Sequence, residues 1–529
     1  MHSGAICCLP PNENDSMNMS HRVLSVLCVA AMLCVNTSAQ AQTYLSEEDT
    51  PVKQRYYPSV PCPFGQAQEK QAQRKRCEAG APLPPKGLLL LVQFSDTAFF
   101  TSNPHTAFDS LANSIDYTYN GATGSAREYF RAQSGGQYVP DFDVVGPLTL
   151  PHPIAYYGKN DLQGYDQYLA DFVIDACAAV PDSVDWTQYD SDGDGLVDLV
   201  FLLFAGYGEA DSHKTNTIWP CKWDMASVLY GGYTNQTTYY YHWDEGKVDY
   251  NLPTFDGKIV YKFACANEWA YSSNHRCGIG TFVHEFSHAL GLPDYYVLDN
   301  NSNKNYTPGS WSLMGYGNYV NNGNTPPNYS VYDKYYLGWV TPAFLSTNQQ
   351  VTLPADGETY YMLTRSGIAP ADGAFTQDTV YYLENRQYTG WDTYLPGYGL
   401  LVWQVVYNEQ AWFEGMPNND VVRYTIISAD GTTPFTTDTR GGTRGDVPFP
   451  GSEEVNMLAL SPKTILQDIT EQANGDITFS FVTSASPSDI GHTNAIRPQG
   501  CFNILGQPVN AATYQGLVIQ DGEKKVLLR

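Results

Sequence analysis

The chain has 529 residues, a formal net charge of −26 at pH 7 and a 14% share of aromatic residues. This length is sufficient for about two or three domains with hydrophobic cores of their own. The large negative charge excludes nucleic acid and anionic membrane surfaces as principal partners, because like charges repel.

The amino terminus has the three parts of a secretory signal. A short basic region ends at Arg22, the apolar run Val23–Val35 follows, and a small-residue cleavage motif ends at Ala41. We therefore predict a signal peptide over residues 1–41, and we interpret residues 1–16 as lying upstream of the true start. The apolar run is too short to span a membrane, and we expect no transmembrane segment elsewhere.

Residues 42–85 are polar and contain a basic cluster, so we interpret them as a propeptide with a processing site. A thiolate can occupy the open position of a zinc site, which makes Cys62 or Cys77 a candidate latch. A local disulfide between these two cysteines, or a disordered segment, is the alternative. Cys265 and Cys277 are a candidate disulfide pair in an exported protein.

The amino-terminal half alternates apolar strands with amphipathic helices. Apolar runs predict strands at Gly87–Phe94, Leu199–Gly208 and Lys258–Ala264. A capping box at Ser125 predicts the start of a short helix, and periodic apolar residues predict a second helix over Tyr165–Ala179.

The acidic loop over residues 190–198 matches the start of a calcium-binding loop, with acidic residues at positions 1, 3, 5 and 9 and glycine at position 6. The carboxylate expected at position 12 is absent, because Phe201 stands there. Four carboxylates this close would repel one another without a cation, so we favour calcium over a solvated acidic turn. The predicted ligands are Asp190, Asp192, Asp194, the backbone carbonyl of Leu196, and Asp198.

The stretch His284–Asp294 reads H-E-F-S-H-A-L-G-L-P-D. His284 and His288 are four residues apart, which places both imidazoles on one face of a helix, where they can hold a zinc ion. Glu285 can serve as the base for a zinc-bound water, and Asp294 adds an oxygen ligand after a glycine turn. Three protein ligands leave a fourth position for water, which is typical of a catalytic zinc. The alternative is an ordinary amphipathic helix with two chance histidines.

A second motif follows downstream, Trp311-Ser-Leu-Met-Gly-Tyr316. Together with the histidine motif it resembles the metzincin clan of zinc endopeptidases, in which a methionine packs beneath the metal. The resemblance implies that role for Met314 and makes Tyr316 a candidate donor to the oxyanion of the tetrahedral intermediate, with a plain core position as the alternative. Metzincins bind their substrate along a sheet edge, which Leu199–Gly208 or Lys258–Ala264 would then supply.

From about Val340 onward, short strand-like segments alternate with turns, which predicts an all-β domain over residues 342–485. Asp430 and Asp446 lie in glycine-rich turns of this region, where they either bind a second cation or cap the turns. A linker and a β-hairpin tail follow over residues 486–529, and this tail resembles the carboxyl-terminal tails of type IX secretion substrates.

Several further segments narrow the resemblance to the immune inhibitor A family of secreted bacterial metallopeptidases. They are Gly124–Phe130, the acidic loop, Ala205–Gly208, Thr217–Pro220, the two motifs above and Leu337–Trp339. The resemblance covers roughly residues 87–485 and implies zinc, calcium, export and peptide-bond hydrolysis. Carried onto this sequence, it makes His284, His288 and Asp294 the zinc ligands and Glu285 the base.

We therefore predict an α+β fold, in which a metzincin-like zinc protease domain over residues 86–341 precedes a sandwich-like all-β domain. The protease domain is expected to combine a mixed twisted sheet with the active-site helix. The predicted protein is a monomeric zinc endopeptidase, secreted or at the cell surface, with one catalytic Zn²⁺ and at least one structural Ca²⁺. Its expected partners are protein or peptide substrates.

Two other functions remain open at this point. One is a zinc amidase that acts on cell-wall peptides, and the other is a non-catalytic surface protein whose β domain binds a ligand. The intact Glu285 favours catalysis, because a protein that only binds has no use for that residue.

Overall fold

The computed structural model describes most of the chain after residue 82 and three strands near its end. The described residues are 83–244, 247–270, 274–297, 307–431, 446–461, 464–483, 501–503, 516–520 and 523–527. The predicted signal peptide and most of the predicted propeptide, with Cys62 and Cys77, lie outside the described residues. Within the described part of the chain, no helix has the length and apolar character needed to cross a bilayer.

The amino-terminal region is a mixed α/β structure. Its strands are β1 (Lys86–Gln93), β2 (Asp141–Thr149), β3 (Val200–Tyr207), β4 (Cys221–Asp224), β5 (Tyr240–Asp244), β6 (Lys247–Asn251), β7 (Thr254–Phe255), β8 (Lys258–Ile259), β9 (Lys262–Ala270) and β10 (His275–Arg276). Its helices are α1 (Pro104–Asn113), α2 (Ala126–Gln133), α3 (Ile154–Gly158), α4 (Leu169–Ala178), α5 (Glu209–Ser212), α6 (Met225–Tyr230), α7 (Gly280–Ala289) and α8 (Val331–Tyr336).

Six of these strands form one sheet of order β10-β9-β3-β1-β2, with β4 also paired to β9. The strands β1, β2, β3 and β9 run parallel, whereas β4 and β10 are antiparallel to β9. Leu199–Gly208 and Lys258–Ala264 were the two candidates for a free sheet edge. Neither provides one, because β3 lies between β1 and β9, and β9 pairs on its outer side with β4 and β10. Two described strands pair with the outer side of β9. β10 pairs with its last two residues, whereas β4 pairs with its first four.

Helices cover both faces of this sheet, because its strands carry apolar residues on both sides. In β1, Leu89 and Leu91 belong to a first core that includes residues of α1, α2 and α7. Leu88 and Leu90 belong to a second core that includes residues of α3, α4 and α6. The alternation of β1 between the two cores follows from the two-residue period of a strand.

Several predicted elements are confirmed with small shifts. The strands expected at Gly87–Phe94 and Leu199–Gly208 are β1 and β3, and the helix expected after Ser125 is α2, whose Glu128 N–H donates to the Ser125 hydroxyl. The helix expected from Tyr165 begins only at Leu169 (α4), because the chain before it forms a turn closed by hydrogen bonds between residues 161 and 165.

The prediction of a single strand over Lys258–Ala264 is wrong. The chain pairs as β8, leaves the strand at Val260 and Tyr261, and pairs again as β9. The Val260 N–H donates to the Pro253 carbonyl and the Tyr261 carbonyl accepts from Met225, so both residues hydrogen-bond outside the sheet ladder.

The cysteines do not follow the expected pairing either. The described cysteine side chains, at positions 177, 221, 265 and 277, are all free thiols. Cys265 lies in the second core, whereas Cys277 packs against the first core on the opposite face of the sheet. The candidate pair Cys265–Cys277 is therefore separated by the sheet itself, and the sulfur of Cys265 lies beside that of Cys221.

The carboxyl-terminal region contributes two further sheets. Its elements are β11 (Ala343–Phe344), β12 (Gln349–Leu353), β13 (Tyr361–Thr364), β14 (Thr379–Arg386), β15 (Gly399–Val406), α9 (Glu409–Phe413), β16 (Tyr424–Ile427), β17 (Met457–Ser461), β18 (Thr464–Glu471) and β19 (Ile477–Thr483). One sheet has the order β11-β13-β14-β15-β16 and the other β12-β19-β18-β17. Near the chain end, β20 (Cys501–Asn503), β21 (Gly516–Gln520) and β22 (Glu523–Leu527) pair in antiparallel fashion.

The five-stranded sheet is shared between the two regions. On one face, Leu400 and Val402 pack with residues of the four-stranded sheet in a third core. On the other face, Leu401 and Trp403 belong to the first core, which also contains α7. The carboxyl-terminal region thus shares one core with the helix that carries the histidine motif.

A buried ion network lies at this junction. The Arg386 guanidinium is 2.9 Å from both Glu384 and Asp392, and the side chains of all three are almost fully buried. The same guanidinium donates to the backbone carbonyls of Asn328 and Tyr329, which precede α8. Burial acts to lower the pKa of Arg386, but the charges of Asp392 and Glu384 outweigh it and raise the pKa.

We predict that Arg386→Met lowers the free energy of unfolding by about 3–5 kcal/mol, because it leaves two carboxylates buried without their cation. Urea denaturation followed by tryptophan fluorescence measures the change. Arg131→Met is the matched control, since Arg131 is 59% exposed in its ion pair with Glu128 and should change stability by less than about 1 kcal/mol. Equal effects of the two variants would contradict the prediction.

Candidate active site

Helix α7 presents one face to the sheet and the other to the site. The rings of Phe282 and Phe286 pack on Phe142, with centroids 4.8 and 5.0 Å away. Both phenylalanine side chains are buried. The helix begins at Gly280, where a Cβ atom would come within 1.9 Å of the Asn318 carbonyl oxygen, so glycine permits close packing of the segment after the second motif.

Both histidines of α7 are oriented by backbone carbonyl groups. Nδ1 of His284 lies 2.9 Å from the Leu313 carbonyl oxygen, and Nδ1 of His288 lies 2.7 Å from that of Leu292. A carbonyl oxygen can only accept, so each Nδ1 carries the proton. Each Nε2 then has a free lone pair, which is the form of imidazole that binds metals.

Asp294 returns a carboxylate to the same place. The chain turns at Gly291, whose φ of +103° favours glycine, and the Asp294 N–H donates to the Gly415 carbonyl of the carboxyl-terminal region at 2.9 Å. Oδ1 of Asp294 lies 3.2 Å from Nε2 of His284 and 3.4 Å from Nε2 of His288.

These separations fit a zinc ion. Tetrahedral zinc with bonds of about 2.0–2.1 Å holds its donor atoms roughly 3.3 Å apart. Because backbone carbonyls already orient both imidazoles, Asp294 is not needed for that task. Its position on the Nε2 side of both rings favours a ligand role over an orienting one.

The electrostatics of the three side chains favour a cation between them. Burial acts to lower the pKa of His284, but the hydrogen bond with Asp294 and the charge of Glu285 outweigh it and raise the pKa to about 9. Burial and the nearby Lys222 ammonium lower the pKa of His288. Although burial acts to raise the pKa of Asp294, interactions with both histidines hold it well below its usual range, so the carboxylate is ionised.

Glu285 lies beside this group, with a carboxylate oxygen within 4.8 Å of a ring nitrogen of His284 and of His288. Its Oε2 atom is 3.9 Å from Nε2 of His288, and its side chain is 13% exposed. Among the described residues, this buried oxygen has no hydrogen-bond partner. It is therefore available to a water molecule or substrate group that enters the site.

The second motif underlies the site. Met314 is fully buried, and its carbonyl accepts from the N–H of Tyr295, the residue after Asp294. The ring of Tyr316 lies parallel to that of Tyr296, with centroids 6.0 Å apart. Burial raises the pKa of Tyr316, which keeps its hydroxyl protonated and able to donate.

The sequence-based prediction of the site did not include two residues that lie near it. The hydroxyl of Tyr296 interacts with the Asp294 carboxylate, and Lys222 of β4 interacts electrostatically with Asp294 and Glu285. Burial lowers the pKa of Lys222, although both carboxylates act in the opposite direction. Tyr296 could have been predicted, because it follows the histidine motif by two residues. Lys222 could not, because nothing in the local sequence links it to that motif.

The acidic loop brings three of its predicted ligands together. The carboxylates of Asp190, Asp192 and Asp194 offer oxygens that all lie within 4.8 Å of one another. Oδ2 of Asp190 also accepts from the Lys258 ammonium at 2.6 Å, while its Oδ1 is buried. The Asp198 carboxylate accepts from the Ser191 N–H at the start of the loop, and the Leu196 N–H donates to Asp194.

The two acidic residues of the carboxyl-terminal turns make local hydrogen bonds. Asp446 accepts from the backbone and side chain of Ser452, and Asp430 accepts from the Ser428 hydroxyl. These contacts match turn capping, the alternative to a second cation site.

The chain is similar to known peptidases over this region. The catalytic domain of the immune inhibitor A peptidases, family M6, matches residues 99–340. Immune inhibitor A of Bacillus thuringiensis subsp. alesti is 30% identical over 234 residues, which cover 39% of this chain and 31% of the relative. Pre-pro-metalloprotease PrtV of Vibrio cholerae serotype O1 (strain M66-2) is 25% identical over 317 residues, which cover 49% of this chain and 31% of the relative. The chain thus spans under a third of the length of these curated relatives, and the predicted resemblance is confirmed.

We predict that Asp294→Ala weakens zinc binding by more than about 100-fold, because loss of a partner outside the ligand shell costs only about 10–100-fold. Competition with a chromogenic zinc chelator measures the dissociation constant. Asp182→Ala, which removes an exposed carboxylate elsewhere, should leave it unchanged. A loss below 100-fold would mean that Asp294 orients the site without binding the metal.

Proposed function

Residues 99–340 belong to the immune inhibitor A peptidase family, and we propose that this protein is a secreted zinc endopeptidase that hydrolyses peptide bonds of extracellular proteins. The observation that carries the proposal is the convergence of Nε2 of His284, Nε2 of His288 and Oδ1 of Asp294, with separations of 3.2 and 3.4 Å. The buried, unpartnered oxygen of Glu285 beside them supports catalysis over simple binding.

In this proposal, His284, His288 and Asp294 hold the ion. A bound zinc supplies an activated water and polarises the scissile carbonyl. Glu285 accepts the proton of the attacking water and passes it to the leaving amine. A hydroxyl donor, Tyr316 or its stacking neighbour Tyr296, stabilises the negative charge that develops on the carbonyl oxygen.

The substrate is proposed to lie along β4. This strand is antiparallel to β9 and adds to the outer side of the sheet. Cys221 and Trp223 belong to the second core, so the alternation of a strand directs Lys222 toward the face that carries α7. A peptide that pairs with the outer edge of β4 as a further strand would therefore run past Glu285.

We also propose a structural calcium ion in the acidic loop, held by Asp190, Asp192, Asp194, Leu196 and Asp198. The loop shares a β-bridge between Leu196 and Ile259, so a cation there would fix the link between β3 and β8. The remaining parts of the proposal are a metzincin-like protease fold, a sandwich-like all-β region and a cleaved amino-terminal leader.

Glu285→Gln is expected to lower kcat/KM on a casein substrate by at least about 100-fold, since the amide cannot accept the proton. The zinc content and the melting temperature should stay at the wild-type values, because Glu285 is not a ligand in the proposal. A parallel assay on purified cell wall separates the amidase alternative. Retained casein hydrolysis in this variant would overturn the mechanism.

For the acidic loop, millimolar Ca²⁺ is expected to raise the melting temperature by several degrees, since a ligand at about 100 times its Kd stabilises by about 2.7 kcal/mol. Asp192→Asn keeps the acceptor for the Asp194 N–H but removes a charge, so the calcium response should shrink. Asp182→Ala serves as the control and should respond like the wild type. An unchanged response in Asp192→Asn would speak against the loop as the calcium site.

A further inference from the structure

Two thiols lie side by side across the edge of the six-stranded sheet. Cys221 of β4 and Cys265 of β9 are direct partners in the antiparallel register. Their sulfur atoms are 3.8 Å apart, and both side chains lie in the second core, with exposures of 8% and 0%. Neither residue belongs to the metal site.

This geometry meets the requirements of a disulfide. Directly opposed residues of an antiparallel pair have Cα atoms about 4.5–5.5 Å apart, and a disulfide spans about 4.4–6.8 Å between Cα atoms. An S–S bond is about 2.05 Å long, so closing a 3.8 Å gap requires side-chain rotation without displacement of either strand. Of the other described cysteines, Cys277 lies on the opposite face of the sheet, whereas Cys177 lies in the same core and is a control in the experiments below.

We propose that Cys221 and Cys265 form a disulfide when the protein folds under oxidising conditions. One thiolate attacks the disulfide of an oxidant, such as oxidised glutathione or a thiol–disulfide oxidoreductase, and releases one thiol of that oxidant. The second thiolate then attacks the mixed disulfide, which forms the Cys221–Cys265 bond and releases the second thiol. The two cysteines lose two protons and two electrons, and the oxidant is reduced to two thiols.

Burial of the two thiols determines when the bond can form during folding. Both thiols are enclosed in the folded protein, and contact with Cys265 together with burial raises the pKa of Cys221, which disfavours the reactive thiolate. The bond therefore forms before the second core closes, and afterwards it is protected from reductants.

The bond would add a covalent link to a short strand at the edge of the sheet. The strand β4 has four residues and contacts the sheet through β9. Lys222 follows Cys221 directly and approaches the two carboxylates of the metal site. A covalent link at Cys221 would thus fix the strand that borders the site, whether or not the protein is a peptidase.

Peptide mapping tests the pairing. The full chain is unfolded, reduced, and refolded in a glutathione redox buffer, and free thiols are then blocked with N-ethylmaleimide in denaturant. We expect a cross-linked peptide pair that contains Cys221 and Cys265, with Cys177 and Cys277 carrying the label. Label on both Cys221 and Cys265 in the refolded protein, or a bond from either one to another cysteine, would overturn the proposal.

Thermal melting of protein refolded either in the glutathione buffer or in a phosphine reductant gives a second, independent readout. Because the bond closes a loop of about 44 residues, reduction should lower the melting temperature of the wild type by several degrees. The double variant Cys221→Ala/Cys265→Ala should show no such response, which also controls for effects of the reductant on the bound metal. Cys177→Ala, which removes a third buried thiol, should respond like the wild type. An equal response in the double variant would refute the assignment.

Discussion

The carboxylate of Asp294 between two imidazole nitrogens is the interaction on which the rest of the site depends. Its Oδ1 atom lies within 3.4 Å of both imidazole nitrogens, in a place that water barely reaches. Such a group is stable only with a proton or a metal ion at its centre. The surrounding structure is arranged accordingly: backbone carbonyls hold both rings, and the Gly415 carbonyl accepts a hydrogen bond from the Asp294 N–H.

The two sheets that follow the catalytic helix are part of that arrangement. The first core runs from β1 through α7 to β14 and β15 without interruption. Tyr295, next to Asp294, stacks on Tyr424 with centroids 3.6 Å apart, and its carbonyl accepts from Asn418. A boundary near residue 342 therefore separates segments of sequence but not independent cores, because residues on both sides of it belong to the first core.

Local patterns in the sequence were sufficient for α7, because its apolar period and its histidine spacing lie within three helical turns. The cap at Ser125 was predictable for the same reason. The split at Val260 was not, because it depends on a hydrogen bond to Pro253 from another turn. Likewise, Lys222 and the Cys221–Cys265 contact arise from the pairing of β4 with β9, and strand pairing over this distance leaves no local pattern.

The hydrogen bond between Asp294 and Gly415 cannot form while the nascent chain still lacks its carboxyl-terminal region. A polypeptide is made and exported from its amino terminus, so the two histidines and Asp294 emerge long before Gly415 and Tyr424. Until those later residues arrive, Asp294 lacks the carbonyl that holds it and Tyr295 lacks its stacking partner. A partly synthesised molecule therefore carries His284, His288 and Asp294 without the contacts that arrange them, so the proposed metal site is completed only after residues 415 to 424 have been made.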